Sequence, residues 1–316
     1  LSLILYSATG AYAAVPAVNG PDSNPNKYTV SSEISAGYQA KDLFIGTLGS
    51  YIALGGELSD TKTFFQNGEA IGKNDIILTN GIVGIALAVD TRNPWGYPAG
   101  SVLDAGRIIE ANSWSDLKTG RDTIWSAEVL VNGWDSWAPD NCGTVSFSLV
   151  NYDFNSCKEG SGLKAVKVSR IYDIGKNNFD VVTYYSIPAG KEYAYMYDSL
   201  INKGGETGNL SNRIALTNKG DDGGFMFPLA YPKGASNIDA FNSMVGTYGK
   251  SYCTTLALPG NVEKVGGKNA GELVGMSRAG GGAGYKEIRI DSSITGHAIY
   301  AEGESRTYNT VIYVDD

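Results

Sequence analysis

KAVKVSRIYDIGKNNFDVVTYYSIPAGKEYAYMYDSLINKGGETGNLSNRIALTN, residues 164 to 218, alternates its apolar and polar side chains through four successive segments. Val166 and Val168 mark the first, Phe179, Val181 and Tyr185 the second, Tyr193, Tyr195 and Tyr197 the third, and Ile214 and Leu216 the fourth. Successive side chains of an extended strand point to opposite faces, so a period of about two is that of a half-buried strand. Turn compositions separate the segments: Asp173 to Asn178, Ile187-Pro188-Ala189-Gly190 and Asn202-Lys203-Gly204-Gly205. The pattern predicts four consecutive antiparallel strands. It makes the chain an all-β protein, a large antiparallel β-sandwich with one short helix and long loops.

Composition agrees with that reading. The 316 residues are 42% hydrophobic and only 18% charged, which excludes a disordered chain and leaves enough apolar material for one large sandwich. Forty-one glycines serve turns and 20 tyrosines suit half-buried strand faces. The net charge of −8 comes without any basic block, so the electrostatic footprint of a nucleic-acid binder is missing.

The chain starts at Leu1, and Leu1-Ser2-Leu3-Ile4-Leu5 followed by Ala11-Tyr12-Ala13 reads as the tail of a signal peptide cut before Ala14. Residues 1–13 are therefore expected to be a signal remnant. Residues 14–32, with Pro16, Pro21, Pro25, Asn19, Asn24 and Asn26, are expected to be a flexible spacer, and residues 33–316 the sandwich. No stretch approaches the ~18 uninterrupted apolar residues of a membrane span. The expected location is extracellular, periplasmic or in the cell envelope.

Working outward from the four-strand run, Asp42 to Leu54 and Asp75 to Val89 read as early strands, with Asn80-Gly81 as a hairpin signal between Ile76-Ile77-Leu78 and Ile82-Val83. Between Asp90 and Glu110 the pattern stops and a surface loop is expected. Ser236 or Asn237 can cap a helix in which Ile238, Phe241, Val245 and Tyr248 recur at helical spacing. Strands return at Glu287 to Ile290, Ala298 to Ala301 and Thr307 to Val314, and a chain that stops directly after a strand is expected to precede a further, downstream domain.

Candidate chemistry is sparse. The sole histidine, His297, would have to serve any triad or metal-hydrolase site by itself, and no Gly-x-Ser-x-Gly turn presents a nucleophile. Trp95, Tyr97, Trp134 and Trp137 lie among Gly and Pro residues, a loop context in which aromatic rings stack on sugar faces; core burial is the alternative for each. Asp221-Asp222, followed by Gly223-Gly224, reads as a tight turn or as calcium ligands. Cys142 and Cys157 flank a strand expected at Thr144 to Val150, and either a disulfide closing that loop or free thiols fit the spacing. Gly280 to Gly284 runs into Tyr285-Lys286-Glu287-Ile288-Arg289-Ile290, a strand, so it reads as a hairpin loop and not a phosphate cradle.

Ser169-Arg170-Ile171-Tyr172-Asp173-Ile174, Phe179 to Tyr185, Ile187-Pro188-Ala189-Gly190-Lys191 and Tyr197 to Lys203 follow one another in an order that resembles the β-supersandwich modules of the galactose mutarotase-like superfamily. Asp75 to Gly81 and Gly100 to Gly106 are similar to the N-terminal sandwich of exported multidomain carbohydrate-active or PHP-type hydrolase proteins. The resemblance implies architecture. It carries no catalytic residues across, because mutarotases use a pair of histidines with a glutamate and this chain has one histidine. The expectation is an exported, non-catalytic module that supports a downstream domain of the same polypeptide, with polysaccharide or cell-surface glycan as partner and no cofactor beyond calcium. A polysaccharide lyase or glycosidase fragment and a cell-envelope structural protein are the alternatives.

Overall fold

The computed structural model describes residues 28–55, 74–90, 99–107, 127, 129–130, 142–174, 177–203, 208–209, 213–219, 224–226, 237–239, 244–248, 253–257, 264–265, 268–269, 275–282, 285–291, 299–300, 303 and 305–315. Strand β1 (Tyr28–Val30), helix α1 (Ser32–Ala36), strands β2 (Tyr38–Ala40) and β3 (Leu43–Thr47), helix α2 (Leu48–Ala53) and strands β4 (Ile76–Thr79), β5 (Val83–Leu87) and β6 (Val102–Arg107) come first. After the short β7 (Val129–Leu130) follow β8 (Cys142–Asp153), β9 (Lys158–Glu159), β10 (Leu163–Ile174), β11 (Asn177–Ser186) and β12 (Tyr193–Asn202). Then come β13 (Gly208–Asn209), β14 (Arg213–Lys219), β15 (Gly224–Met226), β16 (Asn237–Asp239), β17 (Met244–Tyr248) and β18 (Cys253–Ala257). The last are β19 (Lys264–Val265), β20 (Lys268–Asn269), β21 (Gly275–Gly282), β22 (Tyr285–Asp291), β23 (Ile299–Tyr300) and β24 (Ser305–Asp315). The protein is all-β, and no described helix is long and apolar enough to cross a membrane.

A ten-stranded sheet runs β1-β8-β10-β11-β12-β24-β18-β17-β15, with β9 added to β8. A five-stranded sheet, β2-β3-β4-β5-β6, packs on it. The two share one core: Ile45, Ile76, Leu78, Val83, Ile85 and Leu87 from the smaller sheet meet Val145, Phe147, Val166, Val168, Val181, Tyr185, Met196 and Ile312 from the larger. Strands β4 and β5 are buried at every position, which explains why Ile76 to Leu87 reads as a nearly continuous apolar run. A second five-stranded sheet, β16-β21-β22-β14-β7, touches the large sheet where β17 meets β22.

Asn80 ties the two layers together at one end. Its Oδ1 accepts from the amides of Ile82 and Val83, closing the β4–β5 loop, while Nδ2 donates to the carbonyls of Pro188 and Lys191, both at 2.8 Å, in the β11–β12 turn. Gly81 (φ 83°) and Gly190 (φ 67°) supply the left-handed residues that these two turns require.

Several expectations are corrected. The run from Leu163 to Asn202 does form three consecutive antiparallel strands, but β14 leaves the sheet to pair with β22, and β12 takes β24 as its other neighbour. The spacer expected over residues 14–32 contains β1, which pairs in parallel with β8, its ladder continued by the Ser31 amide on the Phe147 carbonyl at 2.9 Å. The stretch from Asp42 to Leu54 is half strand and half helix, because the Thr47 hydroxyl accepts from the Ser50 amide at 3.0 Å and caps α2. The loop expected from Asp90 to Glu110 contains β6, buried along most of its length against β5. The helix expected after Ser236 is instead β16 and β17, the latter paired on both sides by β15 and β18. Sheet pairing overrides the spacing of Ile238, Phe241, Val245 and Tyr248, and the β-branched Val245 and Thr247 suit that outcome.

Candidate functional site

Alternation along β12 sends Ala194, Met196 and Asp198 into the core and Tyr193, Tyr195 and Tyr197 to the opposite face. The register places Tyr184 of β11 directly across from Tyr197 and Tyr313 of β24 directly across from Tyr193. Tyr152 of β8 stacks on Tyr184 with ring centroids 3.9 Å apart, and Phe154 stacks on Tyr195 at 4.6 Å. Tyr152, Phe154, Tyr184 and Tyr197 are buried and form a floor, while Tyr193, Tyr195 and Tyr313 are only half-buried.

The phenols respond to this packing. Burial and the neighbouring Tyr193 hydroxyl push Tyr195 up to about 12. Burial raises Tyr152 and Tyr184 further still, the latter helped by Glu159, whose Oε1 accepts from its hydroxyl at 2.6 Å. All three stay protonated at neutral pH and act as hydrogen-bonding groups.

Glu192 edges the half-buried rings. Its Oε2 accepts from the Tyr313 hydroxyl at 3.2 Å and its Oε1 lies 3.3 Å from Nη2 of Arg107, at the end of β6 in the facing sheet. The Glu192 and Arg107 side chains are 41% and 34% exposed, so this charged pair reaches water at the edge of the sandwich, where Tyr313 is the ring whose hydroxyl meets it. The arrangement offers flat, half-buried ring faces next to phenol hydroxyls, with one carboxylate hydrogen-bonded to the Tyr313 hydroxyl.

The inward face of the same strands holds a polar chain with another purpose. Nη1 of Arg170 donates to the Thr183 hydroxyl at 2.7 Å, and that hydroxyl donates to Oδ1 of Asp198 at 2.6 Å. Arg170 Nε donates to the Ala99 carbonyl and the Tyr185 hydroxyl to the Gly100 carbonyl, each at 2.7 Å, so the large sheet grips the turn that leads into β6. Gly100 has φ 83°, and a Cβ there would overlap the Arg170 guanidinium and a Val168 methyl. Burial pushes Asp198 up to about 7 against the opposing pull of the Thr183 hydroxyl and the Arg170 charge. Asp198, Thr183 and Arg170 are all enclosed by the core, which makes them supports and not groups that meet a ligand.

The sequence-predicted aromatics Trp95, Tyr97, Trp134 and Trp137 lie outside the described residues, as do Asp221, Asp222 and His297. Among the described residues no group of three or more His, Cys, Asp or Glu side chains is placed to hold a metal. Of the two readings open for Cys142 and Cys157, a disulfide or free thiols, the structure has Cys157 as a free thiol. Cys142 begins β8 and Cys157 follows its other end, and a strand of that length separates them by roughly 36 Å where a disulfide spans at most about 7 Å. Cys157 sits at φ 56° in a turn fastened by Asp153, which accepts from the Asn155 amide and the Ser156 hydroxyl. The tyrosine cluster was missed as a site. Its signal, Tyr193, Tyr195 and Tyr197 at alternate positions, read only as strand periodicity because the partners Tyr152, Tyr184 and Tyr313 come from distant segments.

No family model matches the chain, and no curated protein matches it. Solved structures similar to it include galactose mutarotase-like proteins and parts of larger alpha-galactosidases. A galactose mutarotase-like protein from Lactobacillus casei aligns at 9% identity over 76% of this chain and 100% of that one, with a TM-score of 0.49. A galactose mutarotase related enzyme from Lactobacillus acidophilus aligns at 10% identity over 77% and 97%, with a TM-score of 0.47. An alpha-galactosidase from Geobacillus stearothermophilus aligns at 10% identity over 77% of this chain and 40% of that one, with a TM-score of 0.45.

Proposed function

We propose that this chain is an exported β-sandwich module that binds glycan by aromatic stacking, catalyses no reaction itself and supports a downstream domain of the same polypeptide. The observation that carries this reading is the half-buried trio Tyr193, Tyr195 and Tyr313, the last of which donates its hydroxyl to Glu192. Rings held in place by a buried aromatic floor lose little side-chain entropy when a sugar settles on them, so a shallow platform still gives useful affinity. Substrate selectivity then falls to Glu192, Arg107 and the phenol hydroxyls.

Affinity electrophoresis of the purified chain through gels containing soluble neutral or acidic polysaccharides tests it. Retardation by at least one polysaccharide is expected, with a loss of tenfold or more in affinity for Tyr193→Ala/Tyr195→Ala at unchanged folding. No retardation across the panel, or retardation untouched by the double substitution, sinks the proposed site. Release of unsaturated or reducing sugar ends by the same preparation, abolished in Tyr313→Phe, would instead establish the lyase or glycosidase reading.

A further inference from the structure

We propose that Asp198 is a proton-controlled latch: its ionisation sets how firmly the β10–β11–β12 face holds the Ala99–Gly100 turn of the facing sheet. The argument begins with what Asp198 touches. One oxygen, Oδ1, accepts from the Thr183 hydroxyl; the other, Oδ2, is fully enclosed and meets no donor among the described residues. A carboxylate buried with one oxygen unpaired is a poor resident of an apolar core, whereas the neutral acid loses much less by being there. The hydrogen-bond chain carries this to the turn, since Thr183 connects Asp198 to Arg170 and Arg170 holds the Ala99 carbonyl.

Two charged or titratable groups interact with Asp198. Arg170 faces it from β10 and Tyr185 from β11, and on β24 the backbone of residue 308 lies across from it. Asp75 and Asp104 are the buried acids of the facing sheet; an oxygen of Asp75 accepts from the Val89 amide at 3.4 Å. The guanidinium of Arg170 lowers the cost of ionising Asp198 without removing it, as burial outweighs it.

The sign follows from linkage. The closed form keeps Asp198 protonated to about pH 7, while an opened, hydrated form ionises in the ordinary carboxylate range near pH 4. Opening therefore releases a proton between those limits. The hold on the turn is fullest below about pH 4, weakens as pH rises toward 7 and levels off above it.

Amide hydrogen exchange reads this directly. The Gly100 amide donates to the Ala88 carbonyl at 2.6 Å and the Ala88 amide to the Ser101 carbonyl at 2.9 Å, so both report on the turn. Corrected for intrinsic exchange, their protection is expected to fall by up to tenfold per pH unit between pH 5 and 7 and to lose that slope in Asp198→Asn, which keeps an acceptor for Thr183. A flat profile in the unmodified chain, or an unchanged slope in Asp198→Asn, overturns the latch. Because the variant can fail to fold, the carboxyl carbon of Asp198 in the unmodified protein supplies a second reading. An NMR titration midpoint near 7 supports the latch; a midpoint below 5 overturns it.

Discussion

Outward from β12 stand Tyr193, Tyr195 and Tyr197; inward stand Ala194, Met196 and Asp198. The strand is the same, yet the two faces solve burial differently. A tyrosine brings its own compromise, an apolar ring to stack and a hydroxyl that reaches outward, so the outer cluster is built from many partly redundant contacts. The inner face relies on a single series, Asp198 to Thr183 to Arg170 to Ala99, in which each member is the partner of the next. Redundant stacking should fail by degrees, and a series should fail at once.

Arg170→Met is the hardest test of that contrast. It removes the donors to the Thr183 hydroxyl and the Ala99 carbonyl and takes away the charge facing Asp198, a change expected to cost about 3–5 kcal/mol in urea denaturation. If series logic is right, replacing the acid too, as in Arg170→Met/Asp198→Leu, recovers more than half of the loss, since the core then no longer encloses a carboxyl whose Oδ2 meets no donor among the described residues. Two losses that merely add would break the contrast. Gly100→Ala comes next. Its methyl would meet Arg170 and Val168 at a left-handed φ, and a drop of about 2 kcal/mol is expected, seen as a lowered Tm.

How much of this was legible in the sequence depends on the range of the interaction. The hairpin at Asn80-Gly81 and the turn at Pro188-Ala189-Gly190 were readable because a turn is decided by a few adjacent residues. That Asn80 also reaches from its own hairpin to the carbonyls of Pro188 and Lys191 was not, since nothing local marks a partner more than one hundred residues away. The same holds for β14, whose alternation is correct for a strand but silent about whether β12 or β22 lies beside it. It holds for the tyrosine platform, which was visible as Tyr193, Tyr195 and Tyr197 yet complete only when β24 brought Tyr313 alongside. The error over residues 237–248 was of another kind: helical spacing of four apolar side chains outweighed the β-branched residues among them until the neighbouring strands were in place.

The smallest effect probes the outer face at its salt bridge. Lys167 Nζ lies 2.6 Å from Oε1 of Glu159, the same oxygen that accepts from the Tyr184 hydroxyl, and hydrogen bonds from Lys167 and then Tyr184 hold the Glu159 carboxyl below its usual range. A depressed carboxylate contributes stability above its unfolded pKa and loses it as pH falls through the folded one, so this contribution fades below about pH 4. Glu159 and Lys167 are 42% and 27% exposed, and solvent screening limits the pair to under about 0.5 kcal/mol. Lys167→Met should therefore lower stability at pH 7 by only that much and make the acid limb of a Tm profile slightly shallower, because Tyr184 still donates to the same oxygen. A loss from Lys167→Met as large as that from Arg170→Met would mean that the outer face, too, is a series, and that its stacked rings depend on one ion pair instead of on each other.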